Sequence, residues 1–172
     1  FAHFKRLFAS PDFYNVLKNS IVLNLLKIVF CFPVPIILAI MLNEIRYKRF
    51  KKITQTAVYL PYFISWVVLV SITTNLLSTN GGLVNELLKS LGIEPIMFLG
   101  KSEWFRPLIV ITTIWKDTGW NTIVYLAALT AIDQSLYEAA MVDGASHFQR
   151  ILHITLPGIA ATIVVLLILT VG

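Results

Sequence analysis

The chain has 172 residues, of which 57% are hydrophobic and only 13% are charged, and its mean hydropathy is +0.78. Soluble globular domains carry about 45–50% apolar and about 25% charged residues, so both values favour lipid surroundings and exclude intrinsic disorder. The single cysteine excludes a disulfide scaffold. The net charge of +5 reflects a shortage of acidic residues, and the densest basic cluster lies between two apolar runs, so nucleic-acid binding is not predicted.

Four apolar runs follow one another along the chain. A bilayer core of about 30 Å requires roughly 20 helical residues, and the runs over residues 20–42, 56–77 and 107–131 meet that length. The fourth run, residues 157–172, is shorter and still apolar where the sequence stops, and the first six residues lack an initiator Met and a signal pattern. The sequence predicts an all-α, polytopic membrane helix bundle, and we expect it to be a piece of a longer chain.

Basic residues near the ends of the spans predict the orientation in the membrane. Residues 43–52 hold five of them and are therefore placed in the cytoplasm: Arg46, Lys48, Arg49, Lys51 and Lys52. With that assignment, residues 76–106 form an external loop and residues 132–156 form a second cytoplasmic loop. The assignment depends mainly on the first loop, because several basic residues fall on the external side: Lys5, Arg6, Lys18, Lys89, Lys101 and Arg106.

Capping and turn residues predict short helices outside the spans. Ser10 followed by Pro11 is typical of an N-cap with proline at the first helical position, so a helix is expected to begin there and to run toward Asn19. In the external loop, a turn at residues 80–82 precedes apolar residues at helical spacing. These predict an amphipathic helix that ends near Gly92 and packs on neighbouring helices or on a partner: Leu83, Val84, Leu87, Leu88 and Leu91.

The second cytoplasmic loop, residues 132–156, is predicted to form two short helices joined by a turn. Ser135 and Glu138 match an S-x-x-E capping box for the first helix, and Ser146 and Gln149 match an S-x-x-Q box for the second. Two capped helices in so short a loop form a compact, stiff hairpin. Such a hairpin can transmit force from a soluble partner to the spans beside it, so the loop is interpreted as a docking element.

The turn and the end of this hairpin are also marked by single residues. Gly144 can adopt the positive φ that ends the first helix. Pro157 is expected to stop the second helix, so that the chain turns there into the fourth span. One face of the second helix is predicted to carry four side chains: Phe148, Ile151, Leu152 and Thr155.

The same loop carries a spaced motif, E-A-A, three residues, G, nine residues, I, one residue, L-P. It is formed by Glu138, Ala139, Ala140, Gly144, Ile154, Leu156 and Pro157. At these positions the chain resembles the permease subunits of binding-protein-dependent ABC importers, and the D-G-A that begins at Asp143 is similar to one common in that family. Residues 10–13 with Asn19 and Ser20, and residues 81–85, resemble the sugar-importer branch.

The resemblance implies a type I ABC importer permease fold, of which this chain corresponds to about four of six helices. In that family the permease is not an enzyme. Two permease subunits, identical or homologous, form the pathway, two cytoplasmic ATP-binding cassette subunits receive the loops, and an external solute-binding protein delivers a solute such as a carbohydrate or oligosaccharide. ATP and Mg²⁺ would be bound by the ATPase subunits, so no cofactor is expected in this chain. The implied location is the bacterial inner membrane, as a multi-pass protein.

The resemblance also assigns the ATPase-coupling role to particular residues of the loop. They are Glu138, Ala139, Ala140, Asp143, Gly144, Ile154, Leu156 and Pro157. We expect the backbone turn at Gly144 and a polar contact from Glu138 to matter most. In this interpretation, closure of the ATPase dimer is converted into rotation of the spans, which requires a stiff loop.

Polar and aromatic residues inside the spans are candidates for a solute pathway, because charged side chains at bilayer depth usually face a protein interior or water. Aromatic faces would suit sugar rings, and Lys27 or Lys116 would suit an anionic group of an acidic oligosaccharide. The candidates are Asn24, Lys27, Trp115, Lys116, Asp117, Trp120, Asn121 and Tyr125. The alternative role, hydrogen bonding between helices, is given more weight for each. Pro33, Pro35 and Pro61 are expected to kink the first two spans.

Other functional classes fit parts of the sequence. The same permease family also carries non-sugar solutes, and a secondary transporter or channel would work without an ATPase. A membrane-embedded enzyme would use Lys116, Asp117 and a histidine, but the sequence offers no second acid–base partner. No metal site is predicted, because His3, His147 and His153 lack metal-ligand spacing, and without a glycine-rich phosphate loop the chain is not expected to hydrolyse ATP.

Overall fold

The computed structural model describes Phe8 and residues 10–171, so Lys5, Arg6 and His3, which were considered above, lie outside the described residues. Every regular element of the described part is helical, which confirms the all-α fold. The elements are α1 (Pro11–Leu26), α2 (Pro33–Glu44), α3 (Lys48–Tyr59), α4 (Trp66–Leu77), α5 (Leu83–Ser90), α6 (Ser102–Thr130), α7 (Gln134–Val142), α8 (His147–Arg150), α9 (Leu156–Gly158) and α10 (Ala160–Val171).

The first span is longer than the apolar run that predicts it. The chain is continuously helical over the 33 residues Asp12–Glu44, or about 50 Å, whereas the apolar run covers residues 20–42. Ser10 is the N-cap and Pro11 occupies the first turn, as predicted. The helix expected to run toward Asn19 is therefore not a separate element but the first part of this span.

Two prolines are accommodated by widened helical turns that precede them. Before Pro33, the π turn Lys27–Cys31 leads to Phe32, whose N–H donates to the Lys27 carbonyl five residues earlier at 3.0 Å. Before Pro157, the π turn Ile151–Thr155 has the same form. Because proline lacks an N–H and crowds the preceding turn, the extra residue in the turn gives its ring room.

Pro157 therefore does not stop its helix. The helical segment continues to Gly158, and the chain bends by 62° only between the segments His147–Gly158 and Ala160–Val171. Ile159 at this bend is fully buried. The expectation that the chain turns at Pro157 is wrong by two residues, because the π turn absorbs the proline.

The second span is broken rather than straight. The helical segments Lys48–Phe63 and Trp66–Leu77 meet at an angle of 100°, so the kink expected from Pro61 falls three to four residues after it. Pro61 lies in the short 3₁₀ helix Leu60–Phe63. After the break, Ser65 caps α4 by accepting a hydrogen bond from the Val68 N–H at 3.3 Å.

The described residues contain one helix that is long and apolar enough to cross a membrane, Asp12–Glu44, or up to three if each bent pair is one span. The helix α6 has 29 residues and corresponds to the third predicted run, residues 107–131. It is long enough to cross, but polar residues around Lys116 and Asp117 make its centre less apolar.

The core is formed where α2, α6 and the start of α10 meet. Its buried members are Ala39, Leu42, Tyr125, Leu126, Leu129 and Ile159. Earlier in α6, Gly119 lets α3 approach closely, because a Cβ at this position would lie 2.4 Å from the Val58 carbonyl oxygen. The loop of residues 132–156 is therefore attached to this core at both ends, through α6 at its start and through Ile159 and α10 at its end.

The external helix α5 ends as predicted, at a glycine with positive φ, Gly92. Its apolar face is divided, however, because Leu83, Leu87 and Leu91 are largely exposed. The residue that fixes this loop is the fully buried Asn85. Its side-chain amide donates hydrogen bonds of 3.0–3.1 Å to three backbone carbonyls and accepts one of 2.8 Å from the Ile96 N–H; the carbonyls belong to Leu77, Ser78 and Ile96.

Replacing Asn85 by alanine is expected to destabilise the external loop. The change leaves buried backbone groups without partners, and each such group costs about 1–3 kcal/mol. We expect Asn85→Ala to lower the thermal unfolding midpoint of the detergent-solubilised permease, whereas Asn80→Ala, which removes an exposed asparagine from the same loop, serves as the matched control. Equal midpoints for the two variants would show that the Asn85 side chain does not hold the loop together.

Candidate functional site

The first helix of the second cytoplasmic loop begins earlier than its predicted capping box. Asp133 is the N-cap of α7, and its carboxylate accepts a hydrogen bond from the Ser135 N–H at 2.9 Å. Ser135 therefore lies inside the helix, and the predicted Ser135–Glu138 capping box is wrong because the preceding aspartate takes the capping role. The bond from Ser135 lowers the pKa of the Asp133 carboxyl, so the cap is charged at neutral pH.

The turn between the two helices has the hydrogen bonds of a Schellman motif. Gly144 has φ +78°, as the sequence predicts. The Ala145 N–H donates to the Ala140 carbonyl at 2.9 Å, and the Gly144 N–H donates to the Met141 carbonyl at 3.2 Å. These two bonds satisfy the last carbonyls of α7 and fix the direction in which the chain leaves it.

The second helix begins at the predicted capping box. The Gln149 N–H donates to Ser146 Oγ at 3.3 Å, and the Ser146 N–H donates to Gln149 Oε1 at 2.7 Å. The two helices are joined by a hydrogen bond of 3.0 Å between the Tyr137 hydroxyl and the Oγ1 of the buried Thr155. The hairpin is thus tied together at its start, at its turn and between its arms.

The side chains predicted to share one face of the second helix are separated. Thr155 is buried and Ile151 is half-buried, whereas Phe148 and Leu152 are exposed. The π turn Ile151–Thr155 is the reason, because its extra residue rotates the later side chains relative to those before it. The expectation of one common face is therefore wrong.

The outer surface of the hairpin is rich in apolar groups. Val142 at the end of α7 is 88% exposed and Phe148 is 71% exposed, although both are large and apolar. Glu138 and Ala139 of the E-A-A motif are also exposed, and Ala140 is half-buried. Large apolar side chains that are exposed on both helices of the hairpin favour its interpretation as a surface that docks on another protein.

The second half of the motif attaches the hairpin to the core. Ile154 and Leu156 are half-buried, Pro157 is exposed, and Ile159 is part of the buried core cluster. Gly158 lies so close to Ile132, at the start of the loop, that a Cβ would be 2.6 Å from its Cδ1 atom. Sequence reasoning missed these contacts, and the glycine directly after L-P is the one local signal for the close approach.

Three of the eight candidate pathway residues line one polar cavity. Lys27, Asp117 and Asn121 surround a volume of about 190 Å³ between the first π turn and α6. The rest of the lining combines hydroxyl and thiol side chains with apolar ones: Cys31, Thr113, Thr118 and Thr170, and Phe32, Pro35 and Ile114. Asn24 is exposed about one turn before Lys27 on the same helix. The widened turn therefore coincides with the polar cavity.

The remaining aromatic candidates lie elsewhere. Trp115 borders a separate, apolar cavity of about 410 Å³. Trp120 stacks on Tyr62 with ring centroids 5.1 Å apart. Tyr125 is 1% exposed and belongs to the core. The structure thus does not bring these three rings together with Lys27.

Lys116 has a structural position at the break in the second span. Its side chain is buried, and Nζ donates to the backbone carbonyls of Tyr62 at 2.9 Å and Ile64 at 2.5 Å. The same nitrogen lies 5.5 Å from the ring centroids of Tyr62 and Trp66, within cation–π range. Lys116 thus donates hydrogen bonds to carbonyls that have no helical N–H partner at the break in the second span. This agrees with the alternative role considered for the polar residues of the spans, hydrogen bonding between helices.

Removing the side-chain ammonium group of Lys116 is expected to destabilise the bend in the second span. Lys116→Met keeps the volume but leaves two buried carbonyls unpaired, at about 1–3 kcal/mol each. We expect a lower thermal unfolding midpoint for Lys116→Met than for Lys101→Met, an exposed lysine that makes no described side-chain hydrogen bond. An unchanged midpoint for Lys116→Met would contradict the proposed role in holding the bend.

Comparisons with known proteins agree with the motif. Residues 31–172 match the family model described as binding-protein-dependent transport system inner membrane component. The polygalacturonan/rhamnogalacturonan transport system permease protein YteP of Bacillus subtilis is 54% identical over 99% of this chain and 53% of its own length. Protein LplB of the same organism is 50% identical over 100% of this chain and 54% of its own length. The chain thus spans about half the length of these relatives.

A solved structure shows the same fold. The chain matches a crystal structure of a bacterial alginate ABC transporter in complex with an alginate pentasaccharide-bound periplasmic protein, with a TM-score of 0.96 and 46% identity. The match covers 99% of this chain and 59% of the other. This confirms the type I ABC importer permease fold expected from the loop motif. The chain belongs to the family of inner membrane components of binding-protein-dependent transport systems.

Proposed function

We propose that the complete protein is the permease subunit of an ATP-driven importer for an oligosaccharide, and that residues 132–156 dock on its ATPase partner. The observation that carries the proposal is the hairpin of α7 and α8, which is bonded internally and exposes an apolar tip. The side chains of Asp133 and Ser146 form hydrogen bonds with the backbone of the hairpin itself. Its apolar side chains Val142 and Phe148 point away from the described residues.

The hairpin is suited to transmit movement because both of its ends are attached to the helix bundle. Ile132 at its start packs near Gly158 at its end, and Ile159 is buried among residues of α2 and α6. A displacement applied at the tip would therefore move α6 and α10 together. Because the chain bends by 62° after Gly158, the second arm of the hairpin points away from the axis of α10, so a displacement of the hairpin would rotate that helix.

The partners and location follow from this role. The ATPase subunits would bind ATP and Mg²⁺, this chain would hold no cofactor and catalyse no reaction, and a second permease subunit, identical or homologous, would complete the pathway. An external solute-binding protein would deliver the solute. The long apolar helix Asp12–Glu44 supports a place in the membrane, and a multi-pass arrangement in a bacterial inner membrane is proposed with it.

The polar cavity supports an acidic oligosaccharide as the solute. Lys27 lines it, whereas Lys116 is occupied by backbone carbonyls at 2.5–2.9 Å. Of the two lysines considered for an anionic group, Lys27 is therefore the one we retain. Two of the similar proteins are named for acidic polymers, polygalacturonan and alginate. Neutral solutes and transport without nucleotide are the alternatives that the experiments below separate.

Disrupting the hairpin tip should uncouple the permease from its ATPase. Gly144→Pro cannot adopt φ +78° and removes the N–H that bonds Met141, so we expect it to abolish capture of the ATPase subunits in a pull-down with the complete permease. Phe148→Asp places a charge on the exposed tip and should reduce capture at least about tenfold, which corresponds to about 1.4 kcal/mol.

The controls separate docking from folding. Gly144→Asn serves as the matched variant, because asparagine tolerates positive φ, and it should retain capture. Phe148 is exposed, so Phe148→Asp should leave the thermal unfolding midpoint unchanged. Full capture by Phe148→Asp and Gly144→Pro, or nucleotide-independent uptake in proteoliposomes, would contradict an ATPase-coupled importer.

Neutralising Lys27 should lower uptake of acidic oligosaccharides selectively. Lys27→Gln removes the positive charge from the cavity that also holds Asp117, so an anionic solute loses its charge partner while a neutral one does not. In proteoliposomes containing the whole transporter, we expect uptake of an oligogalacturonide to fall at least about tenfold. The exposed Lys18→Gln, on the same helix, is the matched control.

Two outcomes would contradict parts of this proposal. If Lys27→Gln left uptake of oligogalacturonide and alginate oligosaccharides unchanged, the role of Lys27 as the charge partner of the solute would be wrong, and the importer function would stand. If the wild-type transporter took up neutral oligosaccharides in preference to acidic ones, the acidic solute class would be wrong.

A further inference from the structure

One face of α3 forms an exposed groove that the importer mechanism does not use. The groove is shallow and open, because its whole lining comes from α3 and the residue that follows it. It has a volume of about 540 Å³ and is lined by Arg49, Lys52, Ile53, Thr56, Ala57 and Leu60. Their spacing of three and four residues places them in one stripe along the helix. All six side chains are exposed in the described part of the structure.

The opposite face of α3 is the one that packs on the protein. Val58 and Tyr59 approach Gly119 of α6, and both are half-buried, as is Lys51 about two turns earlier. The groove therefore faces away from the packed bundle. Ile53 is 68% exposed and Leu60 is 64% exposed, which is typical of side chains that contact lipid in a membrane protein.

The charges at the beginning of α3 are not explained by the stability of the helix. Four basic residues lie in its first two turns without an acidic residue: Lys48, Arg49, Lys51 and Lys52. Cations near a helix N-terminus oppose the helix dipole. Among the described residues, no carboxylate lies within 4.0 Å of any of the four. An anion from outside the described residues would compensate for this arrangement.

The order of groups along the stripe matches a phospholipid. The cations Arg49 and Lys52 lie at one end, and the apolar side chains of Ile53, Ala57 and Leu60 continue from them for about two turns. A phospholipid presents a phosphate followed by an acyl chain in the same order. A transmembrane helix without an acidic residue would cover the apolar part of this groove but would leave both cations without an anionic partner.

We propose that this groove is a binding site for one anionic phospholipid, with its phosphate between Arg49 and Lys52 and an acyl chain along Ile53 to Leu60. Basic residues beside a membrane attract anionic lipids electrostatically near its surface. The site lies at the start of the broken second span, before the 100° bend. A bound lipid would hold the first turns of α3 at the membrane surface, on the same side as the basic segment of residues 43–52.

The test compares two double variants of equal charge in the complete transporter. Arg49→Gln with Lys52→Gln removes the cations of the groove, whereas Lys48→Gln with Lys51→Gln removes two cations from the other faces of the same helix. The probe is palmitoyl-oleoyl phosphatidylglycerol, titrated into the delipidated transporter and counted by native mass spectrometry, with palmitoyl-oleoyl phosphatidylcholine as the uncharged-lipid reference.

We expect the groove variant to bind phosphatidylglycerol about 10- to 30-fold more weakly than wild type, and the control variant to stay within about twofold. Phosphatidylcholine binding should be unchanged in both. Equal losses in the two variants would reveal only a general attraction to negative charge and would overturn the site. A spin label at Ile53→Cys that is shielded from lipid-dissolved oxygen would show instead that protein covers the groove, which would also overturn it.

Discussion

The structure depends on the requirement that backbone polar groups inside a membrane find partners within the protein. The second span breaks by 100° at Ile64 and Ser65, and the carbonyls exposed by this break would be costly in lipid. Lys116 of α6 donates to two of them, and Ser65 caps the helix that follows. Asn85 satisfies the carbonyls of the external loop in the same way. The irregular segments are thus held by a few polar side chains.

This requirement divides the polar residues of the spans into two groups. The ammonium group of Lys116 donates its hydrogen bonds to backbone carbonyls, whereas Lys27, Asp117 and Asn121 line a cavity. Only the second group lines this cavity, although the sequence places Lys116 and Asp117 side by side. Adjacent residues on a helix point in different directions, so one can serve the bend and the other the cavity. The aromatic candidates are distributed between the core, a stacked pair and an apolar cavity.

The hairpin of α7 and α8 follows a different principle, since its stiffness comes from local hydrogen bonds. The Schellman turn at Gly144 and the capping box at Ser146 each involve residues within five positions of one another. The bond between Tyr137 and Thr155 then locks the two helices together. With these polar groups satisfied internally, the exposed surface is left apolar at Val142 and Phe148. A stiff hairpin with an apolar tip is what the proposed coupling to an ATPase requires.

The sequence by itself determined the helical class, the polar turn at Gly144, the second capping box and the family, because these depend on composition and on residues close together in the chain. The tertiary structure decided that Asp133 caps α7, that π turns accommodate Pro33 and Pro157, and that Lys116 serves the carbonyl of Tyr62, 54 residues earlier. It also placed Phe148 and Thr155 on different faces. These features depend on helix register and on contacts between distant segments, which hydrophobic periodicity does not specify.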